Sequence, residues 1–166
     1  MTEPMWRGKY LEIWRDGTWE YAARVAGMGA AVILATTDAG EVVLVEQFRH
    51  ALGRRTIELP AGLVGDDGGD EGAAVAAARE LHEETGFTAR DWTEVGEFAT
   101  SPGMSSEMFH LFRARGLERT AAGGGVDEED ITVHVVALEG IAAWLAARRG
   151  EGCAIDCRLV AVLGLV

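Results

Sequence analysis

Apolar and polar positions follow several different rhythms along this chain, and each rhythm predicts an element. From Leu11 to Trp14 and from Trp19 to Ala22, aromatic and polar residues alternate on either side of Arg15-Asp16-Gly17-Thr18, the pattern of a β-hairpin turning at Gly17. Ala30–Ala35 and Val42–Phe48 are nearly continuous apolar runs separated by the Asp38-Ala39-Gly40 turn, which predicts two buried strands. Residues 51–71 are broken by glycines and read as a long loop region. An alanine-rich stretch from Gly72 to Thr85 predicts a helix, with Gly86 as its C-cap. Strands are expected at Trp92–Thr100, Met108–Ala114 and Ile131–Ala137, and the last two are separated by an Ala/Gly-rich, then acidic, loop from Thr120 to Asp130. Ile141, Trp144 and Leu145 have helical spacing, as do Ile155, Leu159, Val162, Leu163 and Val166. Nothing repeats, and no linker divides the chain. A single domain over 1–166 is therefore expected, with 1–27 as an N-terminal hairpin segment. The order of strands, one helix, strands, then helices argues for an α+β fold with helices around a mixed sheet.

Composition narrows the functional classes. A chain of 166 residues, 48% hydrophobic, supports one packed core rather than a disordered segment. A formal net charge of -12 repels polynucleotide phosphates, so no nucleic-acid partner is expected, whereas small phosphorylated ligands remain open if cations accompany them. No apolar run approaches the roughly 20 residues that span a bilayer, and the N-terminus lacks the apolar core of a signal peptide. The expected location is the cytoplasm, without a membrane partner. Cys153 and Cys157 are the only cysteines, too few for a metal site of their own, and read as ordinary reduced thiols.

The chemistry is concentrated in Arg79-Glu80-Leu81-His82-Glu83-Glu84-Thr85-Gly86-Phe87. On a helix, Glu80, Glu83 and Glu84 fall within an arc of roughly 100°, while Ala74, Ala78, Leu81 and Thr85 form an anchoring face roughly 130° away from Glu80. Like charges this close repel. A solvated acidic stripe is one reading. A site for hard divalent cations is the other, because such ions relieve the repulsion and also bind phosphates.

The same stretch resembles the Nudix box: glycine, five residues, glutamate, seven residues, then Arg-Glu-aliphatic-x-Glu-Glu-x-Gly-aliphatic. Gly65, Glu71, Arg79, Glu80, Leu81, Glu83, Glu84 and Gly86 satisfy it, and Phe87 departs at the final aliphatic position. The family often places Glu-Leu-Pro-Ala-Gly directly ahead, with that glycine opening the box. Here Glu58-Leu59-Pro60-Ala61-Gly62 matches, but Gly62 lies nine positions before Glu71 rather than six. Either Gly65 takes the slot, or Gly62 does and the loop Gly65–Asp70 carries a three-residue insertion. The insertion is preferred, since a surface loop gains length at little cost. The resemblance extends to the ADP-ribose pyrophosphatase group through Glu46-Gln47-Phe48-Arg49 ahead of the Glu58 motif, Ser101-Pro102-Gly103 with Glu107 beyond it, and Asp127-Glu128-Glu129-Asp130-Ile131.

The resemblance implies an α/β/α sandwich around a mixed sheet and hydrolysis of ADP-ribose to AMP and ribose 5-phosphate. It implies two or three Mg²⁺ ions, with Mn²⁺ as the alternative, held by the Ala61 carbonyl and by Glu80, Glu84 and Glu129, with Glu83 as a further ligand or a support. Arg79 would pair with Glu71 or Glu83, and Gly62, Gly65 and Gly86 would shape the motif. Arg49 would contact phosphate or the terminal ribose, and Trp19 would stack on adenine. Glu58, Pro102, Gly103 and Met104 complete the implied substrate side. The proton of the attacking water would go to an acid of the 127–129 loop. If Asp130-Ile131 anchors the register, Asp127 is the base and Glu129 a ligand. If the Asp-Glu pair at the loop's start is the anchor, the base is Glu128. Glu128 is preferred because aspartate reaches one methylene less. Trp6, Trp14 and Trp19 are many large side chains for a small exposed ribbon, and with the resemblance they imply a homodimer. The same chemistry on another nucleoside diphosphate sugar or a dinucleoside polyphosphate is the nearest alternative. A non-catalytic ADP-ribose sensor is the other, but no basic DNA-binding module follows the box and the box acids are intact.

Overall fold

A computed structural model describes residues 2–25, 29–65, 71–126 and 129–164. Strands β1 (Thr2–Arg7), β2 (Leu11–Asp16) and β3 (Trp19–Arg24) form an antiparallel three-stranded sheet with β2 in the middle. The hairpin expected at Gly17 is its β2–β3 half, with Asp16 opposite Trp19. The third strand had no rhythm to betray it. Every residue of β1 is exposed, so neither face needs to be apolar, and its pairing shifts register between Pro4 and Trp6.

Next come β4 (Ala30–Ala35), β5 (Glu41–Arg49), β6 (Arg54–Glu58) and β7 (Ala61–Leu63), then helix α1 (Ala73–Thr85). The chain continues through β8 (Phe87–Ala99), β9 (Met108–Arg119), β10 (Thr132–Ala137), α2 (Ile141–Gly150), β11 (Ala154–Ile155) and α3 (Cys157–Leu163). Two four-stranded sheets result, in the orders β10-β5-β6-β11 and β7-β4-β9-β8. Both are mixed, because β4 pairs with β9 and β6 with β11 in parallel while their other pairs are antiparallel. Strand β4 explains the layering. Ala30, Val32 and Leu34 face a core completed by Leu145 of α2 and by Leu159 and Val162 of α3. Ala31, Ile33 and Ala35 face a second core completed by Ala76, Ala77 and Leu81 of α1. A strand buried on both faces reads as a continuous apolar run, and helices on its two sides make the expected α/β/α sandwich.

Three expectations need correction. Residues 51–71 are not all loop, since β6 and β7 lie there. Strand β6 is hidden by its sequence, Arg-Arg-Thr-Ile-Glu, in which Thr56 and Glu58 line a cleft and Arg55 is ion-paired with Glu46 and Asp130, so no apolar-polar alternation marks it. Ile155 belongs to the short strand β11, and α3 starts after it with Asp156 as N-cap. The buried face of α1 is Ala76, Ala77, Glu80, Leu81, Glu84 and Thr85, whereas Ala74 and Ala78 are exposed. The anchoring arc and the acidic arc therefore overlap, and two glutamates enter the protein with the helix. Among the described residues no helix is long and apolar enough to cross a membrane.

Candidate active site

The site grows from the contact of β7 with α1. Strand β7 passes so close to the helix that a Cβ at Gly62 would lie 1.9 Å from the Glu80 carboxylate, so any larger residue there would push that carboxylate out of its place. One residue earlier, the Ala61 N–H donates to Glu84 Oε2 at 3.0 Å. Arg79 ties this junction together. Its Nε and Nη2 donate to the two Glu71 oxygens at 3.2 and 3.1 Å, and its Nη1 donates to Glu80 at 2.9 Å and Glu83 at 3.0 Å. Nη2 also reaches the Leu63 carbonyl at 3.3 Å. Hydrogen bonding to Arg79 holds the Glu71 carboxyl below its ordinary range, with help from the Gly65 backbone. Gly62 thus meets Glu80 and Gly65 meets Glu71, while 66–70 lie outside the described residues.

At its other end α1 stops at Gly86, in the left-handed region at φ 74°, with its N–H on the His82 carbonyl. A Cβ there would also strike the Ala121 carbonyl at 2.2 Å, so the cap lets the glycine-rich loop close against the helix. Gly124 and Gly125 donate to the carbonyls of Glu84 and Glu83 at 2.8 and 3.1 Å. The loop then delivers Glu129 to the cleft that Glu80, Glu84, Ala61 and Gly62 also line. Asp127 and Glu128, two of the three expected base candidates, lie outside the described residues, and Glu129 is the third. Glu83 does not line the cleft. Its carboxylate faces Arg79, which gives it a supporting position.

Burial pushes the Glu84 carboxyl up to about 8, and the charges of Glu80 and Glu129 push the same way, against the Ala61 N–H and Arg49. Only 4% of Glu84 is exposed, so solvent does little to relieve it. A carboxylate destabilised by two carboxylate neighbours is the donor chemistry a hard divalent cation offsets. Among the described residues no three His, Cys, Asp or Glu side chains converge tightly enough to cage one ion as they stand. The set fits Mg²⁺ in its usual mode, one or two carboxylates per ion with water and substrate phosphate completing the shell.

The opposite part of the cleft, about 590 Å³ in all, is built from arginines. Arg49 donates through Nε and Nη2 to both oxygens of the buried Glu58, each at 2.7 Å, a bidentate pair that raises its already high pKa. Arg158 comes from α3, pairs with Asp156 through Nε at 2.8 Å and lies 3.7 Å from Glu58. Arg24 of β3 donates to Glu107 at 2.5 Å. Sequence reading did not single out Arg24, Arg158 or Asp156. Asp156 had the only readable signal, as a helix N-cap two residues before an arginine.

The remaining expected ligands sit elsewhere. Trp19 is 70% exposed at the β2–β3 turn and does not line this chain's cleft. Pro102, Gly103 and Met104 form an exposed turn, closed by Met104 N–H on the Ser101 carbonyl. The Ala22 N–H donates to the Met104 carbonyl and Ala22 pairs with Ser105, which ties that turn to β3 near Arg24 and Glu107.

Comparison with known proteins gives a consistent family. The model of the NUDIX domain matches residues 27–152. An ADP-ribose pyrophosphatase of Bacillus subtilis is 41% identical over 112 residues, 67% of this chain and 59% of that protein. An ADP-ribose pyrophosphatase of Mycobacterium tuberculosis is 40% identical over 66% of this chain and 52% of its own length. A GDP-mannose pyrophosphatase of Salmonella arizonae is 37% identical over 75% of this chain and 66% of its own. The chain thus spans little more than half the length of the first two. In fold it is similar to a crystal structure of an ADP compounds hydrolase, with a TM-score of 0.70 at 20% identity, covering 88% of this chain and 80% of that one.

Proposed function

The chain belongs to the Nudix domain family, and from that premise we propose that its cleft hydrolyses the pyrophosphate bond of ADP-ribose, giving AMP and ribose 5-phosphate. The observation that carries this reading is the meeting of Glu80, Glu84, Glu129 and the Ala61 backbone in one cleft with Arg49 and Arg158. The carboxylates and the Ala61 carbonyl would hold two or three Mg²⁺ ions, or Mn²⁺. Bound there, the metal supplies positive charge against the diphosphate and polarises the bond to be cut. Arg79 keeps Glu80 and Glu83 in place, and Gly62 keeps the backbone within reach. Arg49 and Arg158 face the anionic part of the substrate that the carboxylate end cannot attract. An acid of the 127–129 loop, Glu128 foremost, takes the proton of the attacking water.

A second reading keeps the chemistry and changes the leaving half, because relatives named GDP-mannose pyrophosphatase are 36–39% identical to this chain. The test is a substrate panel of ADP-ribose, GDP-mannose and a dinucleoside polyphosphate with Mg²⁺. The highest kcat/KM should fall on ADP-ribose. A preference for GDP-mannose would establish the second reading, and binding of ADP-ribose without products would leave a sensor. We further propose a homodimer through the N-terminal sheet, where Trp6, Tyr10 and Trp19 are 58%, 61% and 70% exposed. Cytoplasmic location is part of the same proposal.

A further inference from the structure

A second charged cluster runs across β6, β5 and β10, away from the cleft, and ends at the acidic loop. Arg55 is its centre. Along β6 it alternates with Thr56, which lines the cleft, so it projects from the other face. Its Nε donates to Glu46 Oε1 at 2.5 Å and its Nη2 to the Glu46 carbonyl at 3.0 Å. Nη1 donates to Asp130 Oδ2 at 2.8 Å, and Nη2 also reaches the Asp130 carbonyl at 3.3 Å and Thr132 Oγ1 at 3.4 Å. Glu46 is braced in turn by His134 Nε2 at 2.9 Å.

Asp130 directly follows Glu129. On its N-terminal side the same loop hangs from α1 through Gly124 and Gly125, and Gly123, Gly124 and Gly125 all have positive φ. Three successive glycines lose much conformational freedom on ordering, so the loop depends on its anchors. Glu129 lies between those anchors, its carboxylate capped by the Val126 N–H at 3.0 Å. An isolated ion pair to Asp130, 81% exposed, would contribute little. A planar guanidinium that grips side chain and backbone across three strands does more, and a lysine could not reproduce that fork.

We propose that Arg55 is a positioning residue: by holding Asp130 against the sheet it fixes the far end of the acidic loop and keeps Glu129 at the cleft. This rests on the reading of Glu129 as a cation ligand. The test is Mn²⁺ binding to the full chain without nucleotide, by calorimetry. It uses the wild type, Glu129→Gln, Arg55→Ala, Arg55→Lys, Asp130→Ala and the Arg55→Ala/Asp130→Ala double variant, each with a melting curve. Glu129→Gln should weaken binding most. Arg55→Ala and Asp130→Ala should each weaken it about fivefold, the upper range for one such pair. The double variant should be no worse than either single, because both break the same link. Arg55→Lys should not restore affinity, and Asp130→Ala, on an exposed residue, should melt close to wild type. Wild-type Mn²⁺ affinity in Arg55→Ala or Asp130→Ala beside a weakened Glu129→Gln would overturn the positioning role. Additive losses in the double variant would overturn it too. Unchanged affinity in Glu129→Gln would overturn the ligand reading itself, and the proposal with it.

Discussion

The two ends of the cleft solve opposite electrostatic problems. At the helix end, Glu80 and Glu84 are buried with Glu129 nearby, and the cationic help comes from Arg79 behind Glu80 and from Arg49 at a distance. At the other end each of three guanidiniums has its own carboxylate: Arg49 with Glu58, Arg158 with Asp156, Arg24 with Glu107. The first end crowds carboxyl groups that cannot all ionise at low cost, so Glu84 keeps its proton to about 8 unless a cation takes its place. The second is charge-balanced before any ligand arrives, and the bidentate Arg49–Glu58 pair fixes the orientation of its guanidinium. The difference separates two jobs. A frustrated carboxylate cluster gains from binding cations, whereas a matched arginine end presents oriented donors without reorganising.

The largest effect should come from removing the frustration. Glu84→Gln should lower turnover by orders of magnitude while the protein stays folded, because it loses a ligand and relieves repulsion at once. Steady-state rates with Mg²⁺ and a melting curve check this, and near-normal turnover would remove Glu84 from the metal site. Next in size is the hub of the same end. Arg79→Ala leaves the buried Glu80 without its guanidinium partner, and breaking such a pair costs about 3–5 kcal/mol. A large drop in melting temperature with loss of turnover is expected, and a melting curve like wild type would show that the hub is dispensable.

The arginine end should respond differently, through binding. Arg49→Lys loses the two-point match to Glu58, and a rise in KM of about tenfold with a smaller change in kcat is expected. A pure kcat effect would blur the distinction between the two ends.

A smaller effect is the pH dependence of the metal-free protein. Folding raises the Glu84 pKa from the ordinary 4.5 to about 8. Between those values the folded chain keeps a proton that the unfolded chain has lost, so the contribution of Glu84 to stability is greatest below about 4.5 and falls as pH rises to about 8. Melting temperatures from pH 5 to 8 should decline, Glu84→Gln should flatten the decline, and Mg²⁺ should oppose it at pH 8. A flat wild-type profile would mean that the helix end is not frustrated. The smallest effect concerns the exposed N-terminal sheet. Light scattering at micromolar concentration should give a dimer, and Trp6→Asp should shift it toward monomer with little change in folding.

The carboxylate end was legible in the sequence because its parts are close along the chain. Arg79, Glu80, Glu83, Glu84 and Gly86 share one helix and its cap, so spacing alone brings them together. Strands β4 and β5 were legible because burial on both faces leaves an unbroken apolar run. The arginine end was only half legible. Arg49 sits in a recognisable stretch, but Arg158 and Arg24 reach the cleft from opposite ends of the chain, and no local pattern marks an arginine whose partner is brought by tertiary pairing. Strand β6 is obscured for a related reason, since a central strand with Thr56 and Glu58 turned into a cleft and Arg55 ion-paired on its other face looks like loop. The anchoring face of α1 is not legible from its alanines, because Glu80 and Glu84 are buried beside Leu81 and Thr85 while Ala74 and Ala78 stay exposed.

The most direct test is product analysis of ADP-ribose incubated with the wild-type chain, with and without Mg²⁺. AMP and ribose 5-phosphate should form in equal amounts with the cation and neither should form in its absence. Equal rates in the presence of a chelator, or no cleavage of any nucleoside diphosphate derivative when Mg²⁺ is present, would contradict a cleft whose carboxylate end is completed by divalent cations.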